Sequence, residues 1–310
     1  MIRTVVHTNN SQMTGCIVEI IKNKKKGMLF GAFYGDAFAL GPHWIYDTQK
    51  IVKTFGQIKT LTPPPPTYHS SKRKGDFTHY GDQALVLLQS VNSMTGFDLK
   101  DFKNKWRALF DNYQGYVDGA TKQTLKNIAA GIEDPVGSAS QDLAGASRIA
   151  PLIYFYDDST QLMAAVEAQT SLTHNNATVM NTAFFFAALT MTVLQGGTVK
   201  DALYSTLETV EDENIRRLIE RGAKEAGQES VQCLQKFGTA CSVEQSLPGT
   251  IQILLTYPED YMGAMTANVM SGGDSAARGA LIGMVLGAAS PLDESYFKEM
   301  NSYDMIRNLI

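Results

Sequence analysis

Gly27-Met28-Leu29-Phe30-Gly31-Ala32-Phe33-Tyr34-Gly35-Asp36 near one end of the chain has a counterpart near the other, Asp274-Ser275-Ala276-Ala277-Arg278-Gly279 continuing to Gly283 and Gly287. Glycines four residues apart share one face of a helix, and without a Cβ on that face another backbone can approach unusually closely. The spacing predicts two helices packed backbone to backbone. If they run antiparallel, Asp36 at the C-terminal end of the first meets Asp274 at the N-terminal end of the last, over a small acidic pocket.

Between these stripes the 3.6-residue periodicity predicts further helices and almost no alternating strand pattern. The expected helices are Lys25–Phe38, Gly81–Met94, Leu99–Asn112, Ala120–Gly131, Leu143–Phe155, Ser159–Leu172 and Asn176–Gly196. Val199–Leu207, Asp212–Ala226, Gln228–Phe237, Ser242–Leu254, Tyr257–Met270 and Ser275–Ala288 complete the set. Residues 41–80 read as one long loop, because Pro63-Pro64-Pro65-Pro66 enforces extended backbone and loops of this length are often functional. With no tandem repeat or linker in view, we expect an all-α fold, a single compact orthogonal multi-helix bundle. Residues 1–22 form an N-terminal extension and 23–310 the domain.

A chain of 310 residues with 44% hydrophobic and 19% charged residues can bury a full core, and its formal charge of −4 gives no reason to expect a nucleic-acid or membrane partner. The basic runs Lys24-Lys25-Lys26 and Lys72-Arg73-Lys74 read as solvated faces or loops. Cys16, Cys233 and Cys241 have neither C-x-x-C spacing nor an even count, and no secretory signal is visible, so a reducing, cytoplasmic setting is expected.

Four polar constellations fall at helix ends. Asp36 leads into Gly41-Pro42-His43-Trp44; Thr78-His79-Tyr80-Gly81-Asp82-Gln83 opens a helix; Ser171-Leu172-Thr173-His174 closes one; and Gly272-Gly273-Asp274-Ser275 starts the last long one. Helix ends in a bundle can converge on one mouth, where carboxylates serve glycosidic cleavage as general acid and base or as ligands of a metal that activates water. Asp36, Asp82, Asp274 and His79 are the catalytic candidates. His43, His174, Gly272, Gly273 and Ser275 are the substrate-binding ones, the glycines because free amides at a helix N-terminus suit an anion.

In this order the segments resemble the ADP-ribosylglycohydrolase family. Gly-x-x-x-Gly-x-x-x-Gly-Asp-Ala at 27–37 is similar to its first helix and G-D-A-L-G turn, and Ala146 to Leu152 to its G-x-x-M-R-x-x-P-L segment. Ser171 to His174 resembles S-x-x-T-H, and Ala267 to Gly287 its G-G-D-T-D-T close. The resemblance spans roughly 25–289 and implies an all-helical fold, a binuclear Mg²⁺ site and hydrolysis of an ADP-ribosyl bond in a small molecule or an ADP-ribosylated protein.

The departures concern the metal. The family's T-D-D-T motif stands here as Thr78-His79-Tyr80-Gly81-Asp82, the second aspartate and last threonine of its closing motif are Ala276 and Ala277, and an expected acidic position is His43. Mg²⁺ needs several oxygen ligands in near-octahedral geometry. We therefore expect no binuclear site, but one weak Mg²⁺ at Asp82 and Asp274 or none. These substitutions resemble the branch that contains the jellyfish J-type lens crystallins and selenoprotein J. The resemblance thus implies a glycosidic hydrolase with a degenerate metal site, or alternatively a non-catalytic crystallin-like or ADP-ribose-binding protein.

Overall fold

In a computed structural model the backbone is described for residues 5–310 and side chains from Glu19 onward, so Cys16 lies outside the described side chains. Helix α1 (Val5–Ala39) runs unbroken through residue 22 and lies antiparallel to α15 (Ser275–Ala289). The register is fixed by glycine. A Cβ built on Gly35 would lie 2.0 Å from the Gly279 carbonyl oxygen, one on Gly31 2.3 Å from that of Gly283, and one on Gly27 2.7 Å from that of Gly287. Six helical glycines sacrifice roughly 3–6 kcal/mol of helix propensity relative to alanine. Close packing along the whole stripe offsets that cost, and the Tyr261 hydroxyl donates to the Gly31 carbonyl at 2.9 Å.

Around this pair lie α3 (His79–Met94), α4 (Leu99–Leu109), α5 (Gly119–Ala129), α8 (Ser159–Thr173), α9 (Ala177–Leu194) and α10 (Val199–Glu208). The rest of the bundle is α11 (Glu213–Lys224), α12 (Ser230–Phe237), α13 (Val243–Thr256) and α14 (Tyr261–Met270). Among the described residues there is no β-strand, only the isolated bridges Ser138–His174 and Asp142–Ser242. The fold is all-α, as expected. The buried apolar side chains form one contiguous core, with Phe185 and Phe186 of α9 inside it.

Three expectations are corrected. Residues 41–80 contain α2 (Thr48–Phe55), whose first amides, of Gln49 and Lys50, donate to Asp47 at 2.9 and 3.2 Å. Eight residues are too few for periodicity to reveal. The helix expected over Leu143–Phe155 is broken into α6 (Ala144–Ser147) and α7 (Ala150–Phe155), because Pro151 in the first turn of α7 has no N–H to continue a helix. After α15 the chain adds the short α16 (Glu294–Phe297) and α17 (Tyr303–Arg307), which the pattern does not reveal.

Candidate functional site

The end of α1 and the turn before α15 interlock through backbone. Trp44 N–H donates to the Gly273 carbonyl and Gly273 N–H to that of Ile45, both at 2.9 Å, while Asp274 N–H donates to Thr239 at 2.8 Å. Gly272 and Gly273 are left-handed (φ 74° and 72°), and a Cβ on Gly273 would meet the Thr239 carbonyl at 2.0 Å, so only glycine fits. The amides of Gly272 and Ser275 are bonded as well, to Val269 and Gly273. Where the sequence leads us to expect free N–H groups for an anion, the protein supplies its own acceptors. Trp44 is itself left-handed (φ 64°), a strained conformation for a bulky residue held by these contacts.

The antiparallel pairing brings Asp36 and Asp274 to the same helix rather than to each other. Asp36 accepts the N–H (at 2.8 Å) and the hydroxyl of Thr78, the residue that caps α3, and Gly81 permits the approach, since a Cβ there would lie 2.4 Å from the carboxylate. Asp274 accepts the Tyr80 hydroxyl at 2.9 Å. Asp36 borders a void of about 10 Å³, at the lower limit for one water. Burial lifts its carboxyl to about 7, against the two Thr78 hydrogen bonds.

The unfolded carboxyl ionises near 4, so between about pH 4 and 7 the folded state keeps a proton that the unfolded state has lost, and stability falls as pH rises through that window. Asp36→Asn cannot ionise. Its stability relative to the parent is expected to rise from pH 5 to pH 8 by on the order of 2–4 kcal/mol. Urea midpoints that move in parallel for both proteins across this range would contradict the assignment.

Asp82 is held from two sides, by the Lys72 ammonium and the Tyr113 hydroxyl. Burial raises its carboxyl, and these two partners draw it back toward ionisation. His174 caps α8, with Nδ1 2.9 Å from the Thr173 hydroxyl and its ring packed on Gly145. Arg148, fully buried, donates at 2.8 Å to Gln83, which also accepts from Trp106 and donates to the His79 carbonyl.

Three histidines meet although only two were candidates from sequence. His43, His69 and His79 are each at most 3% exposed, and each offers a ring nitrogen within 4.8 Å of the others. Burial holds all three below the usual imidazole range, so they are neutral. A second cluster joins Asp274 to Asp142 and Cys241, again within 4.8 Å. Burial and the neighbouring Asp274 push Asp142 well up; burial raises Asp274 too, against the Tyr80 hydrogen bond and the Arg278 charge. His69, Asp142 and Cys241 lie in segments with no local pattern, and only tertiary folding reveals them.

His43 also lines a groove of about 560 Å³, together with Trp44, Tyr46, Asp47, Lys50 and Tyr68. A larger one of about 670 Å³, between α2 and α14, carries no comparable gathering of buried polar groups.

Residues 18–294 match the ADP-ribosylglycohydrolase family, and the chain belongs to that family. It is 25% identical to crystallin J1B of Tripedalia cystophora over 287 residues, covering 86% of this chain and 87% of that one. Crystallin J1A of the same animal is 24% identical over 284 residues, covering 84% and 86%. Among solved structures, an ADP-ribosylglycohydrolase-related protein complex superposes with a TM-score of 0.78 at 20% identity, over 94% of this chain and 96% of that one, which supports the fold.

Proposed function

We propose that the protein is a hydrolase of an ADP-ribosyl or related glycosidic bond, which takes the nucleotide in the groove lined by His43, Trp44, Tyr46, Lys50 and Tyr68. The observation that carries this reading is that His43, on the wall of that groove, lies 3.9 Å from Asp274, which shares a cluster with Asp142. Burial raises both carboxyls, Asp142 further through its neighbour Asp274, while the Tyr80 hydrogen bond and the Arg278 charge draw Asp274 back toward ionisation. A proton donor beside a proton acceptor is what cleavage at an anomeric carbon requires: one protonates the leaving group, and the other takes a proton from the attacking water. The exposed rings of Tyr46 and Tyr68 offer stacking faces to a base, and Lys50 a charge to the pyrophosphate.

Asp82 is engaged by Lys72 and Tyr113, and Asp274 by Tyr80 with the His43 imidazole 3.9 Å away, a donor set that does not fit a hard, oxygen-seeking ion such as Mg²⁺.

Calorimetry with ADP-ribose, followed by product analysis on ADP-ribosylated peptides, tests the reading. Tyr68→Ala is expected to weaken binding about tenfold through lost stacking. Asp142→Asn and Asp274→Asn are expected to lower turnover by about 10²–10⁴ with binding retained. Absence of both binding and turnover would favour the second reading, a packing protein like the crystallins. That reading draws support from those relatives and from the protein partners already engaging Asp36 and Asp82.

A further inference from the structure

His69 is a buried residue on an otherwise wet loop. Thr67, Tyr68, Ser70 and Ser71 around it are exposed, yet its ring is turned in against His43 and His79, with centroids 5.3 and 6.0 Å away. None of the six ring nitrogens of the three histidines has a hydrogen-bond partner in the protein. Buried polar groups are normally paired, and three unpartnered nitrogens, one from each ring and all within 4.8 Å of one another, call for a common partner. An apolar cluster of this shape would be built from phenylalanine or leucine.

We propose that His43, His69 and His79 form a three-nitrogen site for a borderline divalent transition metal of the zinc class. Neutral imidazoles suit such an ion, whereas a hard alkaline-earth ion prefers oxygen. Ligand nitrogens around a tetrahedral Zn²⁺ at about 2.1 Å stand roughly 3.4 Å apart. The observed ceiling of 4.8 Å closes to that by small ring movements, which loop-borne His69 can supply.

Two carboxylates stand near the rings. Asp274 Oδ1 lies 3.9 Å from His43 Nδ1, and Asp118 Oδ2 lies 3.4 Å from His79 Nε2. A small ring movement would let each carboxylate accept an N–H and leave the other nitrogen for the ion, as metal-bound histidines commonly require. The site does not depend on the hydrolase reading, because it can hold an ion with or without turnover.

The test is metal binding to the full chain, with no polyhistidine tag. After chelator treatment, Zn²⁺ titration is expected to show one equivalent bound at micromolar or lower concentration. The fluorescence of Trp44, stacked on His43 at 4.4 Å, should change in step. Co²⁺ should give the visible absorption of a low-coordinate nitrogen site, and millimolar Mg²⁺ neither signal. His69→Gln, checked as folded by circular dichroism, is expected to weaken Zn²⁺ at least 100-fold, and Cys241→Ser to leave it unchanged. The proposal is overturned if the parent binds no stoichiometric Zn²⁺. It is also overturned if His69→Gln binds as the parent does, or if Cys241→Ser alone abolishes binding, which would assign the ion to the Asp142–Cys241–Asp274 cluster.

Discussion

Gly31→Val is expected to prevent the chain from reaching its native state. A Cβ at this position would already overlap the Gly283 carbonyl at 2.3 Å, and that oxygen belongs to the backbone of α15, which no rotamer change can move aside. The two helices would have to separate along their length, giving up the contacts at Gly27–Gly287 and Gly35–Gly279 and the Tyr261 hydrogen bond. The loss should exceed about 4 kcal/mol, which is a large part of a typical domain's stability. Soluble yield and urea unfolding followed by circular dichroism check it. Gly119→Ala is the control, since nothing lies within 4 Å of its added methyl, and it should be neutral or slightly stabilising. A Gly31→Val protein with the parent's urea midpoint would show that the helices do not pack on this face.

Arg278→Met is expected to cost about 3–5 kcal/mol, the penalty for removing one member of a buried charged network. The guanidinium is fully buried, donating to the Asn268 side chain at 2.9 Å and to the Gly272 carbonyl at 2.6 Å, while Asn268 donates onward to the Ser275 carbonyl at 2.8 Å. Methionine fills much of the volume but leaves those acceptors without donors and Asp274 without its opposing charge. Without that charge the Asp274 carboxyl rises further. The folded variant then holds a proton that the folded parent and the unfolded chain have released, so the deficit against the parent grows as pH rises past the point at which the parent's Asp274 ionises. Unfolding midpoints on either side of that point measure it; a deficit independent of pH would mean that Arg278 acts by packing and hydrogen bonding alone. Arg278→Lys keeps the charge without the fork and should fall between the two.

The architecture was legible because its decisive contact is written in glycine spacing, which needs no knowledge of the partner. Asp36, His43, His79 and Asp274 were legible for a related reason: they adjoin those stripes or open an amphipathic helix. What was not legible depends on long loops and on desolvation. The basic runs read as solvated, yet Lys25 is buried against the Tyr154 and Tyr156 carbonyls and Asp157. Lys72 likewise turns inward onto Asp82, while its neighbour Arg73 remains 85% exposed. Composition cannot tell those two residues apart. His69 and Asp142 join their clusters only when segments far apart in sequence fold together.

The glycine register also orders events in time. Gly27 meets Gly287 and Gly35 meets Gly279, so α1 depends on a contact with residues synthesised long after it. Contacts of such sequence separation are slow to form, because the intervening loop must close first. During synthesis α1 waits with its glycine face uncovered until α15 emerges, and the turn bearing Asp274 arrives with it. Neither the start of α3 nor the groove can take its final shape before then, and the newly made chain passes through an interval in which its first helix needs protection from other molecules.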